Sequence, residues 1–190
     1  MSSSRRVRLH ARIAEALEAL YGDDAEAHAA ELAHHFAEAQ TTTGVAKLVR
    51  YSLMAAEQAL AAYAWDEALA HFERGLAARD ITFSGKEAAS DEQAAALLFG
   101  LGRALVATTP PLQPLQDALD TLRRALDYYV DSGDVEHAVA IAEYPYFPRF
   151  GHSYGGSQLV ARALALVPPD SHAAGRLLFR YGHILGTEEG

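Results

Sequence analysis

Apolar residues recur along this chain at intervals of three and four, and turn residues cut that pattern into nine helical segments. Over residues 5–20 the positions Leu9, Ile13, Ala16, Leu17 and Leu20 keep helical spacing, and Tyr21-Gly22 supplies a stop before Asp23-Asp24 caps the next segment. Residues 25–40 present Ala25, Ala29, Leu32 and Phe36 on one face and end at Thr41-Thr42-Thr43-Gly44. A third helix over 45–62 carries Leu48, Ser52, Ala55, Ala56, Ala59 and Leu60, and a fourth over 66–79 carries Leu69, Phe72 and Leu76. Residues 80–90 mix Gly, Ser, Thr and charge without period and read as a loop, followed by a helix over 91–107. Three prolines within 108–114 interrupt the pattern, because proline has no amide hydrogen to continue a helix, and Pro114 can open the next helix to residue 131. Ser132-Gly133-Asp134 is a tight turn into 135–144. The stretch 145–156 is irregular, and helices over 157–167 and 173–185 complete the series.

Composition strengthens the helical reading. Half of the 190 residues are apolar and about a fifth are Ala, which loses no side-chain entropy in a helix. No segment alternates as a strand would, so the expected class is all-α, built of stacked antiparallel helical hairpins. Lys plus Arg total 16 against 25 for Asp plus Glu, and a net charge of -9 argues against direct binding of a nucleic-acid backbone. The chain has no Cys, which removes disulfides, thiolate metal sites and a thiol nucleophile. No apolar run approaches the roughly 20 residues of a membrane span. The segment Met1 to His10 also lacks the apolar core of a signal peptide. A cytoplasmic chain with no membrane partner is expected.

Internal repetition is visible in the second helices of the hairpins. Trp65-Asp66-Glu67-Ala68-Leu69-Ala70-His71-Phe72-Glu73-Arg74-Gly75-Leu76 resembles the second helix of a tetratricopeptide repeat, with Ala68, Phe72 and Gly75 at the small, large and small places that face the partner helix. Ala118, Leu122 and Ala125 repeat the pattern, fifty residues on from Ala68, so the period is degenerate. Leu98-Phe99-Gly100-Leu101-Gly102-Arg103 and Leu178-Phe179-Arg180-Tyr181-Gly182-His183 resemble first helices, with Gly102 and Gly182 small enough for close approach. The resemblance implies a degenerate tetratricopeptide-like right-handed solenoid.

A broader resemblance rests on Arg5-Arg6-Val7-Arg8-Leu9-His10-Ala11-Arg12-Ile13-Ala14-Glu15-Ala16-Leu17 followed by Ala30-Glu31-Leu32-Ala33-His34-His35-Phe36. These segments are similar to the region joining an ATPase module to helical repeats in large bacterial signalling ATPases. That group includes MalT-like, LuxR-type transcriptional regulators and adenylate cyclases carrying an AAA-like module. The resemblance implies two parts, an N-terminal hairpin at 1–43 that joins an upstream ATPase module and degenerate repeats at 44–190 that stop in mid-repeat. It also implies a non-catalytic interaction or sensor arm whose partner is a protein, a peptide or another domain of the same polypeptide. No catalytic residue, cofactor or metal carries over.

Several motifs invite a sharper chemistry. Gly151-His152-Ser153-Tyr154-Gly155 matches the G-x-S-x-G elbow of serine hydrolases, which would make Ser153 a nucleophile with Asp170 and then His172 or His183 as its partners. The elbow needs a strand leading into it, whereas the chain upstream is helical and carries Pro145 and Pro148, so an inter-helix loop is expected. Phe83-Ser84-Gly85-Lys86-Glu87 lacks the first glycine and the hydroxyl residue of a P-loop. Glu31 and His34 form one Glu-x-x-His pair where a di-iron bundle needs two. His28, His34 and His35 are therefore read as surface or satisfied histidines, with a metal-binding bundle as the alternative. Arg5, Arg6, Arg8 and Arg12 read as a solvated basic face. If the hairpins stack, Arg50, Met54, Glu57, Phe99 and Arg103 point into the groove lined by the first helices, where a partner would lie.

Overall fold

The computed structural model describes residues 3–109, 115–146 and 155–188. The chain is all-α, with no strand among the described residues. It divides into two compact units, Met1–Gly85 and Lys86–Gly190.

In the first unit, α1 (Ser3–Tyr21) leads through a 3-10 segment (Gly22–His28) to α2 (Ala29–Glu38), and α3 (Gln40–Thr43), α4 (Ala46–Ala61) and α5 (Trp65–Ala78) follow. Helix α1 packs on α2, α2 on α4, and α4 on α5. The 43/44 boundary expected from the sequence thus lies inside this unit, because α2 and α4 share a core across it. Leu32, Phe36, Leu48, Tyr51 and Phe72 are all buried. The Phe36 and Tyr51 rings stack with centroids 5.6 Å apart, and the Tyr51 phenol donates to Glu18 on α1 at 2.7 Å. Burial and the Glu18 carboxylate push that phenol up to about 12. Burial also raises the Glu18 carboxyl, but hydrogen bonds from Lys47 and Tyr51 outweigh it and hold the group below its usual range.

Two local expectations are corrected. Residues 25–28 are not helical in the α sense: Gly22 takes a left-handed φ of 50° that ends α1, and Tyr21 stacks on His28 with centroids 3.7 Å apart across the tight segment. In α1 the expected stripe is split, with Ile13 and Leu17 half-buried and Leu9, Ala16 and Leu20 exposed. Ala11 and Ala14 are buried, Val7, His10, Leu17, Glu18 and Tyr21 are half-buried beside them, and Leu9 and Leu20 are 45% and 76% exposed. Helix α1 therefore sets Ala11 and Ala14 deepest against the rest of its unit.

The second unit contains α6 (Glu92–Thr108), α7 (Gln116–Ser132), α8 (Val135–Glu143), α9 (Gly156–Leu164) and α10 (His172–Glu188). The Asp91 carboxylate accepts from the Ala94 amide at 3.0 Å and caps α6. Gly133, at a left-handed φ of 74°, closes α7, and Asp134 caps α8 by accepting from the His137 amide at 3.1 Å. Ahead of α6, Arg124 on α7 is buried and donates from Nε to the Glu87 carbonyl at 2.8 Å, which ties the connecting loop to the helix. Helices α6 and α7 pack against each other as a hairpin, with Ala118, Leu122 and Ala125 all buried. A Cβ at Gly102 would lie 2.5 Å from Leu122 Cδ2, so any side chain at this crossing requires the buried Leu122 to move.

Candidate functional site

One side of the second unit collects charged and aromatic side chains from α6, the end of α8 and α10. On α6, Phe99 and Arg103 are one turn apart, and the guanidinium carbon lies 4.7 Å from the Phe99 centroid. Tyr144, just past the end of α8, meets Phe99 edge-on at 6.4 Å and donates from its hydroxyl to the Arg103 carbonyl at 3.3 Å. Burial pushes the Tyr144 phenol up, with the Arg103 charge acting in the opposite sense. The neighbouring Glu143 accepts from Arg176 Nε at 2.6 Å and from its Nη2 at 3.3 Å, a two-pronged contact from α8 to α10. One turn further along α10, Arg180 donates to the Tyr144 carbonyl and lies 4.8 Å over the Tyr146 ring. Burial holds the Arg180 guanidinium below its usual range, and burial pushes the Tyr146 phenol up to about 12.

Between the end of α8 and the first turns of α10 lies an open pocket of about 720 Å³. Its wall carries both signs of charge, with Glu143 and Asp170 beside Arg176 and Arg180. Phe179 also lines it and is 81% exposed, next to Leu178 at 53%. An apolar ring beside partly neutralised guanidinium groups is suited to a peptide segment that offers both an apolar side chain and a carboxylate.

Of the groove residues expected from the sequence, Phe99 and Arg103 belong to this face. Arg50, Met54 and Glu57 lie at three- and four-residue spacing on α4 of the first unit, with Arg50 exposed 5.3 Å from the Tyr51 ring and the other two half-buried. Tyr144, Glu143, Arg176, Phe179 and Arg180 were not anticipated as site residues. Their sequence signal is the spacing of Arg176 and Arg180, which repeats on α10 the one-turn interval of Phe99 and Arg103 on α6.

The remaining candidates are distributed differently. Residues 147–154, which include Gly151, His152, Ser153 and Tyr154 of the elbow-like motif, lie outside the described residues. Asp170 and His172 line the pocket, whereas His183 is exposed further along α10. Arg5, Arg6, Arg8 and Arg12 are exposed on α1, with Arg6 3.6 Å from Glu38. His28 stands apart from His34 and His35 because it is stacked on Tyr21. Glu31 accepts from the Tyr21 hydroxyl at 2.7 Å. In place of His28, His10 of α1 meets His34 and His35, and ligand atoms of all three lie within 4.8 Å of one another.

No protein-family model, curated protein or solved structure matches this chain. No helix among the described residues is long and apolar enough to cross a membrane.

Proposed function

We propose that this chain is a non-catalytic, tetratricopeptide-like interaction arm of a larger ATP-dependent signalling or transcription-regulatory protein, and that α10 receives an amphipathic helix of that polypeptide or of a partner protein. The observation that carries the reading is a difference between two helices of matching sequence. In α6, Leu98 and Gly102 are buried, and Gly102 sits against Leu122 of α7. In α10, Leu178 and Gly182 hold the corresponding places, yet Leu178 is 53% exposed and a Cβ at Gly182 would meet nothing within 4 Å among the described residues. The rest of α10 is well anchored, since Ala174, Leu177 and Ile184 are buried. The open face is thus the one that in α6 takes a second helix, and the occupant that fits is a helix with a large apolar residue where α7 has Leu122. In the first unit, Leu9, Ala16 and Leu20 of α1 are likewise exposed.

The coding sequence on either side of this chain, combined with hydrogen exchange on α10, tests the proposal. An ATPase module upstream, an amphipathic helix downstream, and amide protection across 172–188 that rises when that helix is present are the expected results. Full protection of α10 in a dilute monomeric sample, with no such modules encoded nearby, overturns it. Labelling by a fluorophosphonate probe that is lost in Ser153→Ala would replace the non-catalytic reading with a hydrolase.

A further inference from the structure

The face that α1 turns towards α2 carries a polar group amid its alanines. His10 lies one turn from both Val7 and Ala14 on the packed stripe of α1 and is half-buried there. Helix α2 meets it with two consecutive imidazoles, His34 and His35. The ring centroids of His10 stand 5.8 Å from His34 and 5.0 Å from His35, and the latter two are 5.2 Å apart. His10 Nδ1 and His35 Nδ1 are 3.0 Å apart, and one ligand atom from each of the three rings lies within 4.8 Å of the others. Metal–nitrogen bonds of about 2.0–2.1 Å in a tetrahedral site put neighbouring nitrogens about 3.3 Å apart, so small side-chain rotations bring these atoms onto one ion.

We propose that His10, His34 and His35 form a binding site for a divalent late transition metal, with zinc as its typical occupant, and that the ion clamps α1 to α2. Three imidazoles suit this class of cation, whereas calcium and magnesium require oxygen ligands. His34 is exposed and the other two are half-buried, so the site has a route to solvent and room for a fourth ligand. The imidazoles ligate through an unprotonated ring nitrogen, so binding competes with protons and weakens as pH falls. Glu31 accepts from Tyr21, so that carboxylate is already hydrogen-bonded.

The test uses tag-free, chelator-treated full chain titrated with Zn²⁺ in competition with a micromolar chromophoric chelator, with Co²⁺ absorption as a report on coordination. One equivalent per chain and a melting temperature that rises with added Zn²⁺ are expected. His10→Ala and His34→Ala should each weaken binding by about a hundredfold or more. His28→Ala should leave it unchanged. Because His34 is exposed, its variant should retain the far-ultraviolet circular dichroism of the parent even if His10→Ala loosens α1. Binding below one equivalent, or stoichiometric binding that survives His10→Ala, overturns the proposal.

Discussion

Replacement of Gly102 by Ala tests the hairpin geometry of the second unit, because two physical effects of opposite sign meet at one methyl group. In an open helix interior the change gains about 1 kcal/mol from backbone propensity. At Gly102 the new Cβ would lie 2.5 Å from Leu122 Cδ2, 2.6 Å from Leu122 Cγ and 3.4 Å from the Ala118 carbonyl oxygen. Carbon atoms pack best at about 3.5–4.0 Å. Leu122 has no exposed surface, and its Cγ is close to the α7 backbone, so a rotamer change alone does not clear the overlap. Overpacking of this kind costs about 2–3 kcal/mol, which leaves a net loss of about 1–2 kcal/mol. Gly175 is the control: it is exposed on α10 and a Cβ there meets nothing within 4 Å among the described residues, so Gly175→Ala should gain up to about 1 kcal/mol. Urea denaturation followed by circular dichroism measures both. The pair with Leu122→Ala sharpens the test, since that substitution alone costs about 2–5 kcal/mol and opens the space the Gly102→Ala methyl needs. In that background Gly102→Ala should become stabilising, a coupling of about 2–3 kcal/mol. If Gly102→Ala stabilises the parent chain as much as Gly175→Ala does, the close-approach argument is wrong.

Three other outcomes follow from the first unit. Phe72 is fully buried in the α4–α5 hairpin, so Phe72→Ala should cost about 3–5 kcal/mol in urea denaturation, and a loss below about 1 kcal/mol would mean the side chain is not a core element. The Ser52 hydroxyl is wholly buried in α4 with no hydrogen-bond partner among the described residues, so Ser52→Ala should raise stability by about 1 kcal/mol, and a lower denaturation midpoint would count against it. Glu18→Gln should lose about 1 kcal/mol at neutral pH, because the side chain is partly exposed and its ion pair with Lys47 is screened. The folded Glu18 carboxyl titrates below its unfolded value, so its stabilisation is complete above about pH 4.3 and disappears as pH falls through the lower folded value. The parent and Glu18→Gln curves should converge in acid, and a gap that persists there would exclude the charge as the cause.

The helical class and most of the element positions were legible because each helix that buries one stripe advertises it. In α4 the expected Leu48, Ser52, Ala55, Ala56, Ala59 and Leu60 are all buried, and Asp91 and Asp134 are capping residues recognisable from local sequence alone. The orientation of α1 was not legible. Of the expected stripe, Ile13 and Leu17 are half-buried and Leu9, Ala16 and Leu20 are exposed, while the buried positions are Ala11 and Ala14, which lie outside it. Hydrophobic spacing alone does not fix the rotation of a helix about its axis, which the placement of α2 beside α1 decides. That same rotation turns His10 towards His34 and His35, which lie 24 and 25 residues further on and carry no shared spacing signal. Phe99 and Arg103 could be placed on an interaction face from their repeat positions, because a helix fixes which residues share a side. Their meeting with Tyr144, and the link from Glu143 and Tyr144 to Arg176 and Arg180, depends on where α8 ends and how α10 packs beside it, which local sequence does not encode.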